Sequence, residues 1–202
     1  MKVIEQLLAS AGISPIAGVD EAGRGACAGP LVIASVVLHD PFAAELAVVR
    51  DSKEIPESKR DAVFELIKSV AASVSVVIVP AAEVDARGVH AANLDGMRRA
   101  VQGLDVEPAY VLTDGYAIEG LGVPNLAVWK GDQVVVSISA ASVIAKVTRD
   151  RIMREMDQEF PLYGFAGHKG YITAAHTKAL NEHGPCAQHR TSFANVAAFI
   201  HK

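Results

Sequence analysis

The chain has 202 residues, of which half are apolar and 21% are charged, and its net charge is −4 at pH 7. These values indicate a soluble globular protein with one sizeable core, and the negative charge argues against a simple nucleic-acid coat. A membrane span is excluded, because the longest apolar stretch, residues 70–82, is interrupted by two serines and a proline. We expect no secretion signal, since Glu5 lies where a signal peptide is apolar, and we expect Cys27 and Cys186 to be reduced thiols in the cytoplasm.

The charges are unevenly distributed along the chain. Residues 1–129 carry a net charge of −7, whereas residues 130–202 carry +3 and five of the seven histidines. A basic C-terminal third on an acidic body is typical of a phosphate-binding face. It is also consistent with solvated helix surface, and the charge pattern alone slightly favours this alternative.

Hydrophobic periodicity, together with proline and glycine positions, predicts alternating strands and helices. The predicted strands are 16–20, 30–38, 74–79, 110–113 and 126–129, and the predicted helices are 56–72, 89–104, 139–159 and 173–182. This order predicts an α/β fold with a mixed five-stranded sheet flanked by helices. We expect residues 1–202 to form a single catalytic domain, with about 160–202 as a helical C-terminal appendage packed on it.

The most informative segment is residues 16–25, where an apolar strand meets two adjacent acids and a Gly-Arg-Gly turn. Adjacent side chains of a strand point to opposite faces, so Asp20 and Glu21 can serve one site only if the strand ends or kinks there. Gly23 and Gly25 permit such a kink. Carboxylates at the end of a buried strand need a partner, usually a hard cation such as Mg²⁺. The alternative is a turn with solvated acids.

The pattern of an apolar strand followed by an acid beside a glycine occurs twice more, at Asp114 and at Asp132. Three such strand ends could bring four acids together at one edge of the sheet. The acids would repel one another unless cations neutralised them, and oxygen ligands favour Mg²⁺ or Mn²⁺. Two ions about 4 Å apart are suited to an in-line phosphoryl displacement.

Nine short motifs resemble those of the type 2 ribonucleases H, the bacterial ribonuclease HII family, and they follow the order of that family. They occupy residues 18–25, 29–32, 51–53, 112–115, 130–132, 137–150, 163–165, 168–171 and 189–193. One departure is Glu54-Ile55, where the family usually has Lys-Leu.

The resemblance implies a ribonuclease H-like fold with a two-metal site built from Asp20, Glu21, Asp114 and Asp132, which would be both the catalytic residues and the ligands of Mg²⁺ or Mn²⁺. Asp150 competes for the fourth position. Because it lies beside Arg149 and Arg151 in the predicted long helix, we interpret it as an acid on the helix surface or behind the metal ligands.

The activity implied by the resemblance is that of a metal-dependent endoribonuclease. It would hydrolyse the RNA strand of RNA–DNA hybrids and cut on the 5′ side of single ribonucleotides in duplex DNA, leaving 3′-hydroxyl and 5′-phosphate ends. Its role would be the removal of misincorporated ribonucleotides and RNA primers. One ion would activate a water and the other would stabilise the departing 3′ oxygen, with Asp20 as the bridging ligand. At these strand ends no Ser-His-Asp or Cys-His motif indicates a covalent route.

The resemblance also implies substrate-binding residues. Gly23, Arg24 and Gly25 would contact the ribose 2′-hydroxyl, the group that distinguishes RNA from DNA. Tyr163 would pack on the neighbouring sugar, although a tyrosine that caps the long helix against the core is equally compatible with its position.

Phosphate contacts are expected from polar side chains in the matching motifs, namely Ser52, Lys53, Lys130, Ser139, Ser142 and Lys146. Ser139 and Ser142 fall at the predicted start of the long helix, whose amide groups attract anions. Ser139 could equally be an ordinary N-cap, Lys146 a solvated helix lysine, and His189-Arg190 a pair that only docks the C-terminal tail.

The expected partners are an RNA–DNA hybrid and ribonucleotide-containing duplex DNA, with no membrane. We expect a monomer, and no long C-terminal tail for a sliding-clamp motif. Two alternatives remain open on the sequence: another metal-dependent nuclease of this fold, such as a junction resolvase, and a binding module without catalysis. The first gives no reason for the Gly23–Gly25 turn or for Tyr163, and the four acids argue against the second.

Overall fold

The computed structural model of the protein describes residues 3–49 and 55–200. The strands are β1 (Ile16–Ala22), β2 (Leu31–Leu38), β3 (Ala71–Val79), β4 (Tyr110–Asp114) and β5 (Asn125–Val128). The helices are α1 (Val3–Ser10), α2 (Glu57–Val70), α3 (Ala81–Arg87), α4 (Val89–Gln102), α5 (Gly131–Val134), α6 (Val136–Glu159), α7 (Phe165–His168), α8 (Ala174–His183) and α9 (Ala194–Ala197), with a 3-10 helix at Ala44–Val48.

The five strands form one mixed sheet in the order β3-β2-β1-β4-β5. The β1–β2 and β2–β3 pairs are antiparallel, whereas β1–β4 and β4–β5 are parallel. The predicted mixed five-stranded sheet is therefore confirmed. The central strand β1 is bordered by partners of opposite direction, and this places its carboxyl end beside the carboxyl end of β4.

Helices cover both faces of the sheet. On one face, Val32 and Val36 of β2 pack with Phe64 and Ile67 of α2 and with the buried side of α6. On the other face, residues such as Val19 and Leu31 pack against α3 and α4. Every residue of β2 is buried, as expected of a strand covered on both sides. Burial of each large aliphatic side chain contributes about 1.5–3 kcal/mol.

The predicted long helix begins three residues earlier than expected. Helix α6 starts at Val136, and its N-cap is Val135, so the alternative that Ser139 is the N-cap is wrong. The cap comes from a distant part of the chain, because the buried Glu5 carboxylate accepts hydrogen bonds from the backbone N–H groups of Val136 and Ser137, at 2.9 and 3.0 Å. The helix ends before Phe160, since the following Pro161 disfavours helical geometry.

Strand β1 does not end at the acids, contrary to the expectation of a strand end or kink there. It pairs with β2 as far as Ala22, opposite Val32, but its ladder with β4 stops at Val19, opposite Thr113. The two parallel strands thus separate directly before Asp20, and the acid lies at this opening of the sheet.

The first turn of α6 crosses β1 in direct contact at Gly18. A Cβ atom on Gly18 would lie 2.1 Å from the backbone carbon of Ser137. Only glycine allows the two backbones to approach this closely, and the approach fixes α6 against the strand that carries Asp20.

Among residues 3–49 and 55–200, none of the helices has the length and apolar character of a membrane span.

We predict that Gly18→Ala lowers the free energy of unfolding by about 3 kcal/mol, because the added methyl group collides with rigid backbone rather than with a movable side chain. Thermal or denaturant unfolding measures the change. The matched control is Gly167→Ala, since a Cβ there meets nothing within 4 Å. Equal stability of the two variants would contradict the close packing of α6 on β1.

Candidate active site

Three aspartates from separate elements converge at the opening between β1 and β4. Asp20 belongs to β1, Asp114 is the last residue of β4, and Asp132 lies in α5. Carboxylate oxygens of the three residues lie within 4.8 Å of one another, and no other such group of metal-ligating side chains occurs within residues 3–49 and 55–200. The parallel ladder between β1 and β4 ends at Val19 and Thr113, so Asp20 and Asp114 occupy equivalent positions directly past its end.

Asp132 is positioned by a sharp turn at Lys130 and by the two hydrogen bonds that follow it. Lys130 has a φ of 53°, which turns the chain sharply after β5. The N–H of Gly131 then donates to Oδ1 of Asp114 at 2.7 Å, and the Ser139 hydroxyl lies 2.6 Å from the carbonyl oxygen of Asp132. Helices α5 and α6 are thereby tied to the end of β4.

Burial and mutual repulsion dominate the electrostatics of the cluster. The pKa of Asp20 is raised well above its ordinary value, first by desolvation and then by the charges of Glu21, Asp114 and Asp132, while a hydrogen bond from the Glu21 N–H opposes the shift. Buried carboxylates that disfavour ionisation become stable as anions when a divalent cation neutralises them. An all-oxygen donor set of this kind fits Mg²⁺ or Mn²⁺.

Glu21 and Asp150, the two candidates for a fourth ligand, have different surroundings. Glu21 is partly exposed and lines the space beside Asp20 and Asp114. Asp150 is buried and pairs with Lys146 at 2.7 Å and with Arg60 at 3.9 Å. The interpretation of Asp150 as a helix-surface acid is therefore wrong, and that of an acid behind the site agrees with its contacts. Lys146 is partly buried, which lowers its pKa, and it is not a freely solvated lysine.

Two clefts flank the acids and share Glu21, Arg24 and Asp114. The first, which we name the turn cleft, has a volume of about 460 Å³ and is also lined by Asp20, Ala22, Gly23, Gly25, Ser142, Lys146 and Tyr171. The second, which we name the edge cleft, has a volume of about 420 Å³ and is also lined by Gly115, Tyr116, Trp129, Lys130, Asp132 and Gln133. The acids thus lie between two differently lined clefts.

Two buried arginines hold the Gly23–Gly25 turn in shape. Arg190 donates to the carbonyl oxygens of Gly23 and Arg24 at 2.8 and 3.1 Å, and burial lowers its pKa to about 10. Gly23 has a φ of 87°, and a Cβ there would lie 1.9 Å from Nε of Arg149. Arg190 therefore does more than dock the C-terminal tail. The sequence pattern gave no sign of this, because its partners are backbone carbonyls more than 160 residues away.

The expected phosphate-binding residues have different fates. Lys130, Ser142 and Lys146 line the clefts beside the acids. Ser139 is fully buried, and its hydroxyl is within hydrogen-bonding distance of two carbonyls, so it positions α5 rather than facing a substrate. Ser52 and Lys53 lie outside the described residues.

The aromatic residue that lines the turn cleft is Tyr171, not Tyr163. Tyr163 is 8% exposed, its hydroxyl donates to the carbonyl of Gly184 at 2.9 Å, and its ring is stacked on Phe165. The structure thus supports the packing role that the sequence left open for it. Tyr171 is 41% exposed and lines the turn cleft. It belongs to the 168–171 motif, but two tyrosines in neighbouring motifs cannot be ranked by pattern alone.

The comparisons with known proteins agree with this arrangement. The family model for ribonuclease HII matches residues 17–196. A ribonuclease HII of Rhodococcus erythropolis is 58% identical over 198 residues, which are 98% of this chain and 88% of that protein. The chain belongs to the ribonuclease HII family. The expectation of a type 2 ribonuclease H is thereby confirmed.

Two further comparisons define the extent of the similarity. A ribonuclease HII of Acidothermus cellulolyticus is 57% identical over 95% of this chain, and the chain spans 62% of the length of that protein. In a solved PCNA:RNase HII complex from Archaeoglobus fulgidus, the matching chain is 25% identical with a TM-score of 0.80, covering 93% of this chain and 98% of that one. The expected ribonuclease H-like fold is confirmed.

We predict that Asp20→Asn stabilises the metal-free protein at pH 7 by about 0.5–2 kcal/mol, as is common when a strained active-site group is removed. A raised pKa in the folded state means that stability is full below the ordinary pKa of aspartate and is lost as the pH rises through the folded pKa. The advantage of the variant should therefore shrink as the pH is lowered.

Thermal unfolding in a chelator at several pH values measures this effect, and added Mg²⁺ should raise the midpoint of the wild type more than that of Asp20→Asn. Glu155→Gln, on the solvent side of α6, is the control for removal of an acid elsewhere. A destabilised Asp20→Asn protein at pH 7 would show that the buried carboxylate is compensated by other groups.

Proposed function

We propose that this protein hydrolyses the RNA strand of RNA–DNA hybrids and cuts on the 5′ side of single ribonucleotides embedded in duplex DNA, leaving 3′-hydroxyl and 5′-phosphate ends. The observation that carries the proposal is the convergence of Asp20, Asp114 and Asp132 beside the rigid Gly23–Gly25 turn. Glu21 is the proposed fourth ligand, and the proposed cofactor is a pair of Mg²⁺ or Mn²⁺ ions.

The carboxylate oxygens of the four acids form the proposed binding site for the cations. Bound divalent ions supply a nucleophilic water at neutral pH and stabilise charge on the departing oxygen. The protein's own contribution is geometric: Asp20 and Asp114 each directly follow the last residue that pairs β1 with β4, and the Gly131 N–H donates to the Asp114 carboxylate. No side chain has to form a covalent intermediate in such a hydrolysis.

Selection of ribose is proposed to come from the backbone of the Gly23–Gly25 turn. A 2′-hydroxyl both donates and accepts hydrogen bonds, and Gly23 and Gly25, on either side of Arg24, have no β-carbon that would keep their backbone away from a sugar edge. Arg190 donates to the carbonyls of Gly23 and Arg24, and Arg149 packs against Gly23, so the turn is presented in one conformation. Such preorganisation lets a small chemical difference in the substrate control the position of the scissile phosphate.

The remaining contacts divide between sugar and phosphate. Tyr171, the exposed aromatic ring of the turn cleft, is proposed to pack on a sugar next to the scissile bond. Lys146, Ser142 and Lys130 are proposed to contact phosphates, since they line the two clefts on either side of the acids. Phosphate contacts give affinity without sequence preference, which suits an enzyme that acts at any ribonucleotide.

The proposed biological role is the removal of misincorporated ribonucleotides and RNA primers in the cytoplasm, by a monomer. We propose that residues 1–202 form one catalytic unit, because the C-terminal appendage supplies both Tyr171 and Arg190 to the site.

The discriminating experiment compares a duplex that contains one ribonucleotide with an all-DNA four-way junction, with product ends mapped. Cleavage of the junction alone would favour a resolvase, and hybrid binding without cleavage in Mn²⁺ would favour a binding module.

We predict that Asp114→Asn reduces hybrid cleavage by about 10³-fold or more, because an amide cannot replace an anionic oxygen ligand. Gel analysis of a labelled hybrid measures the rate, and fluorescence anisotropy measures binding, which should remain within a few-fold of wild type. Turnover close to normal would remove Asp114 from the proposed metal site.

We predict that Tyr171→Ala slows cleavage at a single embedded ribonucleotide by more than about tenfold, because the sugar beside the scissile bond loses its support. Tyr171→Phe should retain most of the rate, since the ring and not the hydroxyl makes the proposed contact. Tyr163→Phe is the control in the core: it removes the bond to Gly184 and should cost stability rather than cleavage. A slow Tyr163→Phe enzyme of normal stability would reverse the assignment of the two tyrosines.

A further inference from the structure

The most exposed large apolar side chain among residues 3–49 and 55–200 is Trp129, at 81% exposure. It is also the single tryptophan of the protein. It directly follows β5, the edge strand of the sheet, and lines the edge cleft together with Asp114 and Asp132. An indole that is exposed to this extent contributes little to folding, and a large exposed apolar group beside a polar cleft is typical of a contact site.

The backbone on both sides of Trp129 is fixed by the acidic site. Val128 pairs with Asp114 in the sheet, Lys130 adopts the left-handed conformation, and the Gly131 N–H is bonded to the Asp114 carboxylate. The backbone that carries the exposed indole is therefore held at a constant place relative to the acids.

The surroundings of Trp129 match the repeating chemistry of a nucleic-acid strand. Lys130 is exposed next to the indole, and Arg24 lies across the cleft with its guanidinium 4.7 Å from the ring centre of Tyr116. A strand alternates charged phosphates with sugars and bases that have apolar faces. The edge cleft combines two cations, Arg24 and Lys130, with the rings of Tyr116 and Trp129, and this combination suits phosphates and apolar sugar or base faces.

We propose that Trp129 is a substrate-contact residue that packs on a sugar or base edge of the duplex, on the side of the scissile phosphate opposite to Tyr171. This inference rests on the proposed function. The acids lie between the turn cleft, which holds Tyr171, and the edge cleft, which holds Trp129. A strand that crosses the acids therefore passes one aromatic residue before the cleaved bond and the other after it.

Because Trp129 is the only tryptophan, its fluorescence reports this contact directly. We expect a saturating RNA–DNA hybrid to reduce acrylamide quenching of the Asp20→Asn protein in Mg²⁺ by at least about twofold, since a covered indole is shielded from solvent. Saturation is verified by anisotropy of a labelled hybrid. Unchanged quenching at saturation would overturn the proposal.

Kinetics on the otherwise wild-type protein provide the second test. We expect Trp129→Ala to raise KM about tenfold with kcat within about twofold, because a contact made equally in the ground and transition states affects binding alone. Trp129→Phe should restore most of the affinity. Leu126→Ala is the matched control, since Leu126 is exposed on the same edge strand but does not line the edge cleft. An unchanged KM for Trp129→Ala would contradict the contact.

Shortened duplexes test the position of the contact. Truncation of the substrate on one side of the scissile bond should erase the difference in KM between the wild type and Trp129→Ala. Truncation on the other side should erase the difference in cleavage rate between the wild type and Tyr171→Ala. If the same truncation erases both differences, the placement on opposite sides is wrong.

The failure of this inference and the failure of the proposed function are distinguishable. If the wild type cleaves the hybrid while neither quenching nor KM depends on Trp129, only this inference fails. If the wild type cuts neither substrate, the proposed function fails, and the quenching result still decides whether Trp129 binds duplex.

Discussion

The contact between the first turn of α6 and β1 at Gly18 is the constraint on which the site depends. It brings the backbone of Ser137 against the strand that carries Asp20. Glu5 caps the same turn, and the Ser139 hydroxyl lies within hydrogen-bonding distance of the Asp132 carbonyl, so α6 connects the short α5 to the sheet. Since Asp20 and Asp132 are 112 positions apart in the sequence, this packing is what makes them neighbours.

The Gly23–Gly25 turn is stabilised in a different way, by buried cations whose hydrogen bonds within residues 3–49 and 55–200 go to backbone carbonyls. The side chains of Arg149 and Arg190 are buried and donate to backbone carbonyls, including those of Pro30, Ala28 and Gly29. Burial lowers the pKa of each arginine. Charge-assisted bonds to several carbonyls can repay that desolvation, and they rigidify a loop that has little apolar side-chain packing of its own. The same loop needs glycine at position 23 because Arg149 fills the space of a side chain.

Stability and function oppose each other at the acids. Burial, together with the charges of Glu21, Asp114 and Asp132, raises the pKa of Asp20 and therefore lowers the stability of the metal-free fold near neutral pH. The two clefts extend this acidic centre into a surface with lysines and aromatic rings on both sides, although the whole chain is acidic. Local arrangement of charge, and not net charge, thus makes the chain compatible with a polyanionic substrate.

Local signals predicted the strands, the longer helices and the candidate acids, namely periodic apolar residues and the Asp20-Glu21 and Asp114-Gly115 pairs. They did not reveal the short α1, whose role depends on Glu5 meeting α6. Packing between remote segments places Tyr171 rather than Tyr163 in the turn cleft, buries Asp150 behind Lys146 and turns Ser139 inward. The physical reason is that side-chain orientation in α6 and in the loops after it depends on what packs against each position, and those partners are remote in sequence.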